Sequence, residues 1–418
     1  MEKFSCSTIA KPVVIINCLI GSTSVFFHGI VFRIHLSFKL IRMPLLFLAF
    51  FIADLLSLAY PFIAYYLYRE WDKYQDTVND DYAQRCLYGA IVLLLFIVLG
   101  KFLIKVLLSK NRKGEDEPHM FDTNKQETVR RPDGSTINVE YYGREDGQSI
   151  IFVHGLNANI KNWYYQRKYF EKDYRLIMMD LPGMGKSTRP ANKDLSLTKL
   201  AADLQAVIEH TGAKNPILWG HSMGGMTVLT LLAKNRDVGF PAIKGVILEH
   251  TTYTNPVRTI LFRGLMTAIQ KPVLTPLCYL IIFLSPVIWI CRWMSYLNGN
   301  AHIMTRWLTF AGTQTAKQLD FSTLLSTLTP PAVMARGCLG MFRYDVTDKL
   351  SDIRVPTLII GANKDRLTRP DASTYMQEHI PNAELVMLSP GNHQALLERH
   401  KEVNEAATRF IQKLSKGE

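Results

Sequence analysis

Leu218-Trp219-Gly220-His221-Ser222-Met223-Gly224-Gly225-Met226 is the stretch on which the reading of this chain turns. The β-rich run from Pro216 to Trp219 leads into Gly-x-Ser-x-Gly, and the apolar stretch from Met226 to Ala233 predicts a buried helix behind it. Strand, sharp turn and helix in that order hold a serine hydroxyl above the end of a sheet, while Gly220 and Gly224 let neighbouring backbones approach. The pentapeptide is moderately specific by itself. It acquires chemical meaning when a base, an acid that orients the base, and backbone donors for an oxyanion lie at other strand ends.

Working outward, Gln148 to Val153 is a short apolar run, the mark of a strand buried on both faces, and it ends in His154-Gly155-Leu156. Gly155 permits close approach to the serine turn, which makes the Leu156 N–H a candidate oxyanion donor. Tyr174 to Asp180 reads as the next strand, followed by Leu181-Pro182-Gly183-Met184-Gly185-Lys186-Ser187. A phosphate loop needs a glycine five positions before Gly185, where Asp180 stands, so this is a surface turn. Leu197, Leu200, Ala201, Leu204, Val207 and Ile208 predict an amphipathic helix closed by Gly212. A hairpin is expected around Pro132-Asp133-Gly134, with a strand from Ile137 to Tyr142.

Lys244 to Leu248 adds another strand, ending at Glu249-His250. His250 comes too early in the order to be the base and reads as a hydrogen-bonded structural histidine. Val355 to Ile360 predicts a strand whose end carries Asp365, and Glu384 to Leu388 one that runs into Ser389-Pro390-Gly391-Asn392-His393. The strand-end rule brings Asp365 and His393 beside Ser222; Asp345, Asp348 and Asp352 precede their strand and belong at its amino end. Val403, Ala406, Ala407, Phe410, Ile411 and Leu414 predict a terminal helix over the sheet.

The bulk properties add a second theme. The 418 residues have a mean hydropathy of +0.04, high for a soluble chain, and a net charge of +12. Without a basic motif interleaved with aromatics, nucleic acid is not an expected partner; an anionic membrane surface is. Six cysteines without paired spacing read as reduced thiols. Three apolar segments, 12–32, 43–68 and 87–108, are each long enough to span a bilayer, and the absence of a cleavage-type end disfavours a signal peptide. Asp54, inside the second, is expected in an interhelical hydrogen bond. Basic residues in the first connection and after residue 100, against an acidic 69–85 connection, put the C-terminal part on the cytoplasmic side.

Residues 111–124 read as a linker, 125–251 and 346–416 as the catalytic core, and 252–345 as a helical cap inserted into it. Within the cap, residues 273–290 carry no charge but are interrupted by Pro276 and Pro286, so they are expected to form an apolar lid at the membrane face rather than a span, with Arg263, Lys271 and Arg292 at the headgroups.

Residues from about 118 to 416 resemble an α/β-hydrolase-fold domain of the lipase, esterase and haloperoxidase-like branch. The resemblance is carried by His154-Gly155-Leu156, by Asp180 to Gly185, by Gly220-His221-Ser222-Met223-Gly224-Gly225, and by Asp365 and His393. Gly-His-Ser-Met-Gly-Gly is similar to the corresponding turn of monoacylglycerol lipases. The resemblance implies a mostly parallel sheet flanked by helices, Ser222 as nucleophile, His393 as base, Asp365 as its orienting acid, and the N–H groups of Leu156 and Met223 as oxyanion donors, with no cofactor or metal. Asn392 departs from the glycine usual before the histidine. Ser222 stands where epoxide hydrolases and haloalkane dehalogenases of this fold carry aspartate. The expected protein is thus a membrane-anchored serine hydrolase of a lipid-like ester, its partners being membrane lipids and that substrate. The alternatives are hydrolysis of a small ester, thioester or carbon–carbon bond, a haloperoxidase-like reaction, and a non-catalytic membrane scaffold.

Overall fold

Eight strands form one sheet in the order β1-β2-β4-β3-β5-β6-β7-β8. They are β1 Gln126–Arg130, β2 Thr136–Gly143, β3 Ser149–Val153, β4 Arg175–Met179, β5 Ile217–His221, β6 Gly245–Glu249, β7 Thr357–Ala362 and β8 Ala383–Leu388. Strands β1 and β2 make the expected hairpin, β2 pairs antiparallel with β4, and every later pairing is parallel. The computed structural model describes residues 57–109, 114, 116–123, 125–234 and 242–416. Span 12–32, the first part of span 43–68, and Asp54 lie outside the described residues.

The parallel strands are buried because helices cover both faces, and alternation along each strand sorts its side chains between two cores. Ile151, Val153, Leu218 and Leu248 face one core, filled by helices α4 (Leu197–Thr211) and α5 (Met223–Lys234). Ile150, Phe152, Trp219 and Ile247 face the other, with α3 (Tyr164–Phe170) and the terminal helix α14 (His400–Lys416). Each fully buried Leu, Ile or Phe stabilises the fold by roughly 1.5–3 kcal/mol relative to an exposed one, so this double-sided burial is what fixes strand register. Helix α4 starts where Ser196 accepts from Lys199 N and stops at Gly212, whose φ of +59° ends it in the left-handed region.

Before the sheet, residues 57–74 form helix α1, and Asp80–Leu107 forms α2, 28 residues long. Helix α2 starts about two turns earlier than the sequence pattern 87–108 indicated, with Asp80 and Asp81 at its positive end. After β6 come α6 (Arg263–Ile269), a π turn (Gln270–Leu274), α7 (Thr275–Phe283), α8 (Ser285–Asn298), α9 (Asn300–Thr309), α10 (Ala316–Leu328) and α11 (Pro331–Met341). Backbone contact between Tyr253 and Val346 closes the neck of this insertion. Helix α12 (Pro370–His379) links β7 to β8, and a short α13 (Ala395–Glu398) precedes α14.

Several expectations need correction. Two helical runs among the described residues are long and apolar enough to cross a membrane by length and composition, Asp80–Leu107, which covers most of the third expected span, and Arg263–Phe283, which lies in the cap where no span was expected. Residues 273–290 break at Leu284, just ahead of Pro286 in the first turn of α8, whereas Pro276 lies inside the continuous helical run Arg263–Phe283 and does not interrupt it. Arg292 does not reach outward: its guanidinium donates to the carbonyls of Ser326 and Thr329. Arg263 pairs with Asp371. Residues 116–123 are not a free linker either, because Phe121 is buried in the core, Tyr164 donates to Asp116, and Thr315 to Glu117.

Candidate active site

Ser222 follows the last residue of β5 and has a φ of +52°, a conformation that a side chain tolerates only when its surroundings over-determine it. They do so here. Ser222 N donates to Glu249 O (3.0 Å), and Ser222 O accepts from Thr251 Oγ1 (2.7 Å) and from Met226 N (3.1 Å). A Cβ on Gly220 would lie 2.7 Å from Gly224, and one on Gly224 would collide with the Val153 carbonyl, so the close packing that the sequence assigned to both glycines is present.

His393 Nε2 lies 3.0 Å from Ser222 Oγ, and His393 Nδ1 lies 3.0 Å from Asp365 Oδ2. With Nδ1–H donating to the carboxylate, Nε2 is left as the acceptor for the serine hydroxyl. Asp365 and His393 are 4% and 5% exposed, respectively. Burial raises the pKa of Asp365, but the charge and hydrogen bond of His393 outweigh it and hold the carboxyl below its usual range. Asp365 Oδ1 accepts from Leu367 N (2.8 Å) and Thr368 N (2.9 Å), while Oδ2 accepts from Thr368 Oγ1 (2.9 Å). Thr368 is the residue that reading strand ends missed; its signal was the Asp-x-x-Thr spacing, which favours side-chain closure of a turn.

The candidate oxyanion donors flank the serine. Gly155 is packed so that a Cβ there would lie 2.9 Å from Ser222 Cβ, which carries the next residue, Leu156, to the site. His154 sets this turn: Nε2 accepts from Leu181 N (3.0 Å), so Nδ1 holds the proton and donates to Gly155 O (2.8 Å). Burial keeps that imidazole below its ordinary pKa and hence neutral. Met223 is the first residue of α5, where N–H groups have no partner in the preceding turn and the helix dipole is positive. Leu156 also touches Gly337 of α11, so the cap covers this side of the site.

Two further histidines lie beneath the triad. His221 donates from Nε2 to the His393 carbonyl (3.0 Å) and is kept well below its ordinary pKa by burial, with His393 and His250 adding to the effect. His250 was expected to be hydrogen-bonded; it is 1% exposed, and neither ring nitrogen has a hydrogen-bond partner among the described residues. Its ring centroid is 6.2 Å from that of His393. The rival acids are elsewhere: Asp345 pairs with Arg258 and Thr254, and Asp348 and Asp352 belong to a 3-10 turn (Thr347–Asp352) ahead of β7. In the turn that mimics a phosphate loop, Asp180 accepts from Ile160 N and Lys186 N, filling the space an anion would need.

The alpha/beta hydrolase fold family matches residues 148–264. The protein has the α/β-hydrolase fold. An esterase from Exiguobacterium antarcticum with this fold is 24% identical, covers 68% of the chain and 98% of its own length, and superposes with a TM-score of 0.57. Among curated relatives, epoxide hydrolase 3 of Xenopus tropicalis is 24% identical over 66% of this chain and 75% of its own length. The 3-oxoadipate enol-lactonase 1 of Acinetobacter baylyi is 23% identical over 59% and 82%. The α/β-hydrolase relatives are thus hydrolases of more than one ester or ether-like bond.

Proposed function

We propose that the protein is a membrane-anchored serine hydrolase that cleaves a lipid-like carboxylic ester. The observation that carries the reading is the unbroken line Ser222–His393–Asp365, with both links at 3.0 Å. In this reading the Ser222 hydroxyl attacks the acyl carbon while its proton passes to His393 Nε2, and Asp365 holds the imidazole and stabilises the imidazolium. The N–H groups of Leu156 and Met223 bind the developing oxyanion, where loss of one donor costs on the order of 3 kcal/mol. His393 then protonates the leaving alkoxide, and water attacks the acyl-enzyme by the reverse proton route.

Support for a lipid-like substrate comes from the surface. Helix α2 exposes Val92, Leu95, Val98, Leu99, Phe102 and Leu103, and the cap exposes Val273, Leu280, Val287 and Phe283, the last 81% accessible. An apolar patch this extensive marks a membrane or protein contact. The basic residues at and beyond the end of α2 support a hydrolase domain on the cytoplasmic side in this reading. A second reading, hydrolysis of a small ester or lactone, draws on the names of the esterase and the enol-lactonase. Acyl esters of increasing chain length presented in vesicles separate the two: the lipid reading expects turnover to rise with chain length and to vanish in Ser222→Ala while flotation with the vesicles persists. Preference for the shortest ester would favour the second reading. Equal activity in Ser222→Ala would defeat both.

A further inference from the structure

Asn392, where the resemblance led us to expect glycine, is fully buried and makes three hydrogen bonds with its side chain. Its Oδ1 accepts from His393 N (2.8 Å) and from Arg366 N (3.3 Å), joining the base to the loop of Asp365, and its Nδ2 donates to Phe310 O (3.1 Å). Phe310 belongs to the segment between α9 and α10, and that segment holds the histidine loop at more places. Gln394 N donates to Thr309 O (2.8 Å). Ala311 N, Gly312 N and the Thr313 hydroxyl donate to the Glu398 carboxylate at 2.7, 2.8 and 2.9 Å. Gly312 has a φ of +119°, which turns these donors toward one carboxylate.

The same segment is tied at its other end to the long apolar helix. Gln314, also fully buried, donates from Nε2 to the carbonyl of Leu108, the residue that ends α2 (3.0 Å). Lys105 of α2 pairs with Asp320 of α10 (2.9 Å), and Asp320 also accepts from Tyr296 (3.1 Å) and faces His302 Nε2 of α9 (3.0 Å). Gly100 and Ile104 of α2 pack on Asn298 and Gly299, where α8 gives way to α9. Residues 309–315 are therefore fixed between the end of α2 and the loop that carries His393.

We propose that residues 309–315 act as a positioning strut, through which the end of α2 sets the placement of His393, with Asn392 as the residue that passes the constraint to the base. The proposal rests on His393 being the general base of the proposed reaction. A glycine at position 392 would close the same turn but would leave Phe310 O, His393 N and Arg366 N without these partners. The strut explains why asparagine stands there. It also makes the placement of the base depend on α2 rather than on the sheet alone.

The test uses the full-length protein in phosphatidylcholine vesicles, with Asn392→Ala, Gln314→Met and the double variant. Gln314→Met keeps volume while removing the donor to Leu108, far from the serine. The first readout is the time course of labelling by a fluorophosphonate. Misplacing a catalytic group by a fraction of an ångström to an ångström is costly, so the rate constant is expected to fall about tenfold in Asn392→Ala and about threefold in Gln314→Met, at full labelling amplitude. Because both act through one strut, the double variant is expected to fall about tenfold rather than about thirtyfold. A purely structural defect would lower amplitude, not rate. The second readout is amide hydrogen exchange across residues 391–398, expected to be faster in Gln314→Met. Wild-type exchange there overturns the strut even if no variant, wild type included, is labelled; that last result would defeat the serine-hydrolase reading instead. Wild-type rates, loss of amplitude alone, or additive effects also overturn it.

Discussion

At the scale of the residue, Asp365, the proposed orienting acid, receives four hydrogen bonds, from His393, Leu367 N, Thr368 N and Thr368 Oγ1. Asp365→Asn keeps the shape but presents the wrong partner to His393 Nδ1, and kcat is expected to fall by about 10⁴ with little change in KM. Thr368→Val removes one donor to the carboxylate, and a loss of about tenfold in kcat is expected, read from the same steady-state assay. A larger effect in Thr368→Val than in Asp365→Asn would mean that the acid has been misassigned. That Ser222, Asp365 and His393 come together was legible because each follows a strand end in a fixed order, and order is written in sequence. Thr368, His154 and Asn392 act through hydrogen bonds to neighbours, which leave little or no periodic trace. His250 shows the same limit from the other side: its place after β6 was readable, its lack of a hydrogen-bond partner was not.

At the scale of the element, the docking of α14 on α3 carries a pH dependence. His400, at the start of α14, stacks on Tyr165 of α3 with ring centroids 3.7 Å apart. Burial, aided by Lys401, lowers its pKa to about 4 from an ordinary 6.5. Between those values the unfolded chain binds a proton that the folded one refuses, so stability is full above pH 6.5 and is lost as pH falls toward 4. Allowing for the partial exposure of the ring, the loss is roughly 2 kcal/mol. His400→Phe keeps the stack and is expected to flatten the fall in Tm across that interval; His221 and His154, also held neutral by burial, leave a residual slope. An unchanged slope would show that His400 is not titrating there. The strands and α4, α5 and α14 were readable because their apolar periods match their geometry. Helices α3 and α12 were not singled out, and the cap was visible as excess length between two strands and one uncharged stretch, 273–290, without its separate helices.

At the scale of the molecule, the sequence separated an apolar N-terminal region, a linker and a capped hydrolase domain, whereas the described residues join α2, the cap and the histidine loop by direct contacts. Lys105–Asp320 and Gln314–Leu108 span more than two hundred residues of chain, a separation at which no local pattern operates. The membrane reading makes its own prediction: the protein should stay with the membrane pellet after alkaline carbonate extraction, and release into the supernatant would count against α2 as an anchor. The central claim, however, is the chemistry at Ser222. Its most direct test is to treat the folded full-length protein with a fluorophosphonate and map the adduct by peptide mass spectrometry. The account predicts one stoichiometric adduct on Ser222, absent in Ser222→Ala and strongly slowed in a His393→Ala variant. A folded protein that takes up no label, or takes it up at another residue, would contradict it.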